Sequence, residues 1–182
     1  MSRRPFTPER LNARYVFTPW GWGWLLASPR GLWAFSWPWG SREEAAAGLE
    51  RALKNGPCSP GFEKNRILEQ AAEALLAFFQ GFPQQLEEVP LEAGRFTPWQ
   101  RRVYGVVRAI PPGETRSYGR VAEECGKPGG ARAVGQALAA NPLPLFIPCH
   151  RVVYGDGRLG GYGCGGPGLK ECLLSLERRE RG

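Results

Sequence analysis

Residues 113–153 read GETRSYGRVAEECGKPGGARAVGQALAANPLPLFIPCHRVV, and the fold turns on how this stretch is punctuated. Ser117 can cap a short helix running to Cys125, because a serine hydroxyl accepts from the unpaired amide hydrogens of a first helical turn. Gly126 to Gly130 supplies a turn, and Ala131 to Ala140 makes a second helix stopped by Asn141-Pro142. Two short helices joined by glycines spell a helix-turn-helix candidate. After it, Phe146 to Val153 reads as an extended segment. Gly155-Asp156-Gly157 reads as a hairpin turn feeding a glycine-rich loop through Gly168, and a last helix is expected from about Leu169 to Arg179. Just upstream, Thr97-Pro98 pairs an N-cap with proline at the first helical position, Gln100 to Arg108 continues that helix, and Pro111-Pro112-Gly113 ends it. Helices with an appended hairpin make the winged form of helix-turn-helix.

Toward the N-terminus the pattern changes. Residues 14 to 37 are rich in aromatic and β-branched types, broken by turn signals at Gly21 and at Ser28-Pro29-Arg30-Gly31, which predicts two or three short antiparallel strands. Six of the seven tryptophans lie between Trp20 and Trp39; a small aromatic core under a hairpin is favoured over a ligand-stacking surface. Ser41 and Glu44 form a capping-box pattern opening an Ala-rich helix that Asn55-Gly56 closes, and Ile67 to Phe79 has apolar residues at helical spacing, with Gly81 as a stop. Phe82 to Gly94, with two prolines, three glutamates and no period, is expected to be a linker. The fold class expected is therefore α/β, of the α+β kind: a small α/β scaffold over 1–91 with its linker at about 82–94, and a winged helix-turn-helix domain over 92–182.

The charge balance separates the same two halves. The chain has 24 Lys plus Arg against 17 Asp plus Glu. Residues 92–182 hold 14 basic and 8 acidic side chains, and residues 1–91 hold 10 and 9, so nearly all the excess positive charge lies in the second half. Such a surface favours a polyanionic partner. Five cysteines (Cys58, Cys125, Cys149, Cys164, Cys172) have no framework-like spacing, and no apolar signal region opens the chain, so a reducing, cytoplasmic setting of prokaryotic type is expected. With one histidine and no Cys-x-x-Cys pair, no metal site is expected. No stretch approaches the roughly 18 apolar residues that span a bilayer.

The chemistry-bearing residues stand together at Pro148-Cys149-His150-Arg151. Cysteine reacts as its thiolate, and a neighbouring base or positive charge raises the thiolate fraction at neutral pH. Neighbours on an extended strand point to opposite faces, so a bridging water could carry the proton between Cys149 and His150. Glu177, in the last helix, is a candidate third member that would fix the imidazole tautomer. Taken alone, a Cys-His dipeptide is more often structural than catalytic. The glycines from 160 to 168 do not form a phosphate loop, since they lack both the strand-to-helix setting and the Lys-Ser/Thr ending.

Residues 113–153 closely resemble the O6-alkylguanine-DNA alkyltransferases, also called methylated-DNA–protein-cysteine methyltransferases. The likeness begins at Thr97-Pro98-Trp99-Gln100 and continues through Asp156-Gly157, Gly160-Gly161-Tyr162 and Lys170-Glu171 to Glu177. Residues 1–91 are similar only in layout, which in this family is ribonuclease H-like. The resemblance implies DNA repair by a stoichiometric, irreversible transfer of an alkyl group from O6 of a flipped-out guanine to Cys149, with no cofactor. His150 would be the water-mediated base, Glu177 its orienting partner, and Tyr118 the donor to the departing purine. Arg132 would be the intercalating finger, though a phosphate contact is its plainer reading. Small residues such as Ala133 and Gly135 would let their helix sit close in the minor groove.

Asn141 would brace the backbone near the reacting thiol, or else simply cap a helix. Leu138, Tyr162 and Gly163 would line the pocket, behind the proline-flanked cysteine with its Pro148. The carbonyls of Cys149 and Val152 would accept from the guanine amino group. Two departures stand out: Gly163 replaces a short polar residue of many relatives, and the loop between Tyr162 and Lys170 is one residue longer than in the vertebrate pattern. The partner implied is double-stranded DNA carrying O6-alkylguanine, bound by a monomer, with cooperativity on DNA left open. Rival readings are an alkyltransferase-like lesion binder without catalysis, a winged helix-turn-helix regulator with an incidental cysteine, and a cysteine hydrolase.

Overall fold

Alternation of aromatic and small residues builds the N-terminal sheet. In the computed structural model, which describes residues 10–54 and 61–178, β1 (Asn12–Thr18), β2 (Gly21–Ala27) and β3 (Leu32–Trp39) form an antiparallel sheet in that order. The β1–β2 turn needs glycine: Gly21 has φ +133°, and a Cβ there would stand 2.7 Å from the Trp39 carbonyl oxygen. The tryptophans do not make one core under a hairpin: irregularities in the β2–β3 register break the alternation along β3, so that Trp33 and Trp37, four residues apart, fall on opposite faces of the sheet. Trp24 and Trp33 pack with Leu11, Leu26, Ala45 and Leu49 under α1 (Arg42–Leu53), whereas Trp37 faces α2 (Arg66–Phe79) with Leu25, Phe35, Leu75 and Phe78. Ser41 caps α1 by accepting from the Glu44 amide at 3.1 Å; the expected stop at Asn55-Gly56 lies outside the described residues. Asn65 caps α2, accepting from Ile67 and Leu68.

The segment read as a linker is pinned to the sheet. A single turn of helix, α3 (Gln85–Glu88), buries Leu86, and Val89 is buried behind it. The chain then runs along β3, with the Leu32 amide donating to Pro90 O at 2.8 Å and the Glu92 amide to Leu32 O at 2.9 Å. Apolar residues at irregular spacing gave no period to read, yet each finds a place in the core. That core runs without a break from Val16 and Leu75 through Val103, Val121, Val134 and Phe146 to Leu173.

In the second half, α4 (Pro98–Arg108) opens on a reciprocal Thr97/Gln100 capping box. A two-residue strand β4 (Arg116–Ser117) leads into α5 (Tyr118–Glu124), and α6 (Ala131–Ala139) follows a turn that uses positive φ at Gly126 and Gly129. Both helices lie within a residue of expectation. The segment after them does not. Instead of extending from Phe146 to Val153, the chain makes a 3-10 turn at Cys149–Arg151, closed by the Arg151 amide on Pro148 O at 2.9 Å. Only β5 (Val152–Val153) is strand, and it pairs parallel with β4. The turn at 155–157 forms, with the Tyr154 amide on Arg158 O at 2.8 Å, but no return strand follows it among the described residues. The last helix, α7 (Gly166–Arg178), starts three residues earlier than expected.

Candidate active site

Cys149 stands half-buried at the first position of the 3-10 turn, and Asn141 fixes it there. The Asn141 side-chain amide donates to Ile147 O at 3.0 Å and to Cys149 Sγ at 3.3 Å, while its oxygen accepts from the Leu143 amide at 2.9 Å. A bifunctional amide is what such a spot requires, since a carboxylate could not donate and a lysine could not accept. The helix C-cap reading of Asn141 does not hold, as Ala140 occupies that position. β3 steadies the same turn from outside: the Phe35 amide donates to Pro142 O at 2.9 Å, and the Phe35 ring meets Phe146 edge-on at 5.6 Å.

His150 and Glu177 meet as expected, with Nε2 and Oε1 2.8 Å apart and both side chains fully buried. Glu177 also receives Arg151, from Nε at 3.1 Å to each oxygen and from Nη2 at 2.8 Å, as well as the Gly113 amide at 3.1 Å. Burial alone would raise the Glu177 carboxyl, but the hydrogen bonds and charges of His150 and Arg151 outweigh it and hold the group down at about 2. Burial pushes His150 below the ordinary imidazole range, against the pull of Glu177, so the ring is neutral. A carboxylate on Nε2 demands a proton there, which leaves Nδ1 as the basic nitrogen. Nδ1 is buried and without a protein hydrogen-bond partner. Burial also raises the Cys149 thiol, partly offset by the Asn141 hydrogen bond and the positive charge of Lys170, so a resting thiol faces a neutral base.

Above Cys149 opens a cavity of about 810 Å³, large enough for a nucleobase. One wall is α6, with Arg132, Gly135 and Leu138; the other holds Tyr118, Tyr162 and Gly163. Of the expected set, Arg132 is exposed at the second position of α6, and Ala133 is half-buried, its carbonyl accepting from the Trp99 indole N–H at 3.2 Å. Asn141, Pro148 and Val152 stand behind the cavity rather than in its lining, Pro148 and Val152 being buried. The Val152 carbonyl already accepts from Lys170 Nζ at 2.6 Å, and the Cys149 carbonyl from the Val152 amide. Two residues at the site are given no role by the sequence reading. Lys170 is fully buried and bears on Cys149 by charge; it lies seven residues before Glu177 on one face of α7, a lysine in an apolar stripe, which was a legible signal. Tyr154 lines the cavity and carried no signal, since one tyrosine after two valines suggests only strand.

A two-helix unit beside a thiol and a neutral histidine in a nucleobase-sized cleft, on the basic half of the chain, fits the class of nucleic-acid-modifying proteins. Residues 98–179 match the family described as 6-O-methylguanine DNA methyltransferase, DNA binding domain. The methylated-DNA–protein-cysteine methyltransferase of Mycolicibacterium paratuberculosis is 47% identical over 125 residues, which are 68% of this chain and 73% of that protein. That of Shigella flexneri is 34% identical over 171 residues, 92% and 96% of the two chains. Among solved structures, O6-methylguanine methyltransferase of Mycobacterium tuberculosis superposes with a TM-score of 0.71 at 32% identity, covering 93% of this chain and 94% of its own. The same organism's OGT in complex with DNA gives 0.71 at 35% identity, with the same coverage. The chain belongs to the methylated-DNA–protein-cysteine methyltransferase family.

Proposed function

We propose that this protein repairs DNA by moving the alkyl group of O6-alkylguanine to Cys149, once per molecule. The observation that carries this reading is the thiol at the cavity floor, backed within one 3-10 turn by a neutral histidine whose far nitrogen is held by an ionised glutamate. The thiol proton passes to His150 Nδ1, through a water on the reading proposed. Sγ attacks the alkyl carbon in line, the C–O6 bond breaks, and its electron pair stays on the purine. The guanine takes up one proton in place of the alkyl group, and the proton count balances. The product is a thioether, which has no electrophilic carbonyl for water to attack, so the protein is not regenerated.

Tyr118 is half-buried in the same cavity, and burial with the neighbouring Tyr154 and Cys149 raises its phenol. A phenol that stays protonated serves as a hydrogen-bond donor to charge developing on the leaving purine. To bring its alkyl carbon to Cys149 inside the cavity the damaged nucleotide must leave the base stack, and on this reading Arg132, which lines the same cavity, would fill the gap. In this reading 1–91 is a scaffold of ribonuclease H-like layout, 92–182 is a winged helix-turn-helix domain, the packed segment at about 82–94 joins them, and the protein acts as a monomer. A lesion binder without catalysis is disfavoured, since it needs no nucleophile where Cys149 stands. Titration of a duplex bearing one O6-methylguanine tests the proposal: repair should stop when lesions repaired equal protein added. Continued turnover would indicate a hydrolase instead.

A further inference from the structure

Tyr154 is an aromatic side chain of the cavity wall to which neither the reaction nor the family resemblance gives a part. It is 47% exposed, and its ring tilts against Tyr118 with centroids 5.5 Å apart. The turn that follows clamps it. The Tyr154 amide donates to Arg158 O at 2.8 Å and the Gly157 amide to Tyr154 O at 3.0 Å, while the Arg158 guanidinium lies 5.3 Å from the ring centroid and is itself paired with Asp156 at 2.7 Å. Gly160, at φ +72°, makes room: a Cβ there would come within 3.0 Å of Tyr154 Cε2 and 3.6 Å of the Tyr118 hydroxyl. An exposed aromatic ring held this firmly, beside the residue that meets the leaving purine, calls for a partner of its own.

The shape of guanine supplies one. O6 lies on one edge of the ring system, and N3 and N9 lie on the opposite side, separated by one carbon. If the O6 substituent points at Cys149 and the purine's far edge meets Tyr118, the glycosidic bond must leave beside the Tyr118 hydroxyl, toward solvent. The next surface in that direction is Tyr154. We propose that Tyr154 is a specificity-determining residue that covers the deoxyribose of the flipped nucleotide, so that the pocket discriminates a nucleotide from a free alkylated base. Sugar C–H groups pack on aromatic faces, and the exposed Arg158 stands beside the same ring, where the flanking phosphate would pass.

This inference rests on Cys149 as the acceptor, and the test separates the two. Rates of Cys149 alkylation would be measured by mass spectrometry for three substrates: free O6-benzylguanine, its 2′-deoxynucleoside, and an oligonucleotide containing it. Tyr154→Ala should lose about tenfold on the nucleoside and the oligonucleotide, and less than about twofold on the free base. Tyr154→Phe should match the parent on all three, since the ring and not the hydroxyl does the covering. Equal losses on all three substrates would overturn the inference and make Tyr154 only a brace for Tyr118; no loss on any would overturn it too. A parent protein that alkylates Cys149 with none of the three would refute the proposed function itself, and this inference with it.

Discussion

Glu177 serves three partners at once, and its chemistry follows from that. It takes His150 on one oxygen, Arg151 on both, and the Gly113 amide on the second. A carboxyl held at about 2 in the folded protein against 4.5 unfolded contributes stability that is complete above pH 4.5 and lost as pH falls through 2, about 3 kcal/mol in all. His150 acts in the same direction over a higher window: its folded value lies below 6.5, so acid favours the unfolded chain as pH drops past 6.5. Unfolding free energy measured against pH should therefore be flat between about pH 6.5 and 8, below the range in which unfolded thiols ionise, and decline below 6.5, and Glu177→Gln should flatten the portion below 4.5. The same variant should be less stable at pH 7 by about 3–5 kcal/mol, because Arg151 is left buried with only the half-exposed Glu87 carboxylate, 3.5 Å away, as counter-charge. A variant with unchanged stability and an unchanged acid limb would contradict this account of the cluster.

Elements from both halves of the chain meet at the Asn141–Cys149 turn. β3 reaches it through the Phe35 amide and ring, and α4 anchors α6 from behind, with the Tyr104 hydroxyl donating to Ala137 O at 2.9 Å. Phe35→Ala should cost about 3–5 kcal/mol of stability by opening a core cavity, read as a lowered denaturant midpoint. A change under 1 kcal/mol would mean that the sheet does not support the turn. Arg132 is exposed on α6 and lines the cavity. Arg132→Ala should slow transfer from duplex DNA far more than from a free-base substrate, and equal slowing would refute a finger role. Helices with caps and periodic apolar faces were legible in the sequence to within a residue or three, as Ser117 and Thr97 show. The turn at Cys149 was not, because Val-rich flanks read as strand while the Pro148 conformation and the Asn141 amide, eight residues away, set the backbone. The candidate site residues are named through the family resemblance, since Cys-His alone is more often structural; the Lys170 contact on the Val152 carbonyl and the Tyr154 wall depend on α7 and on a loop folding back, which no local pattern encodes.

Across the whole molecule, one hydrophobic core joins a nearly charge-balanced half to a basic one. DNA affinity should fall steeply with rising salt, as phosphate neutralisation releases counterions, and a flat response in a binding titration would contradict a role for the basic half. No helix among the described residues is long and apolar enough to cross a membrane. The fold thus brings the N-terminal sheet, the two-helix unit and the last helix to a single sulfur atom. Peptide mapping after reaction with O6-methylguanine duplex examines that atom directly. The account predicts one methyl group in place of one hydrogen, on the peptide containing Cys149 and on no other; an unmodified Cys149, or methylation at Cys164 or Cys172 instead, would contradict it.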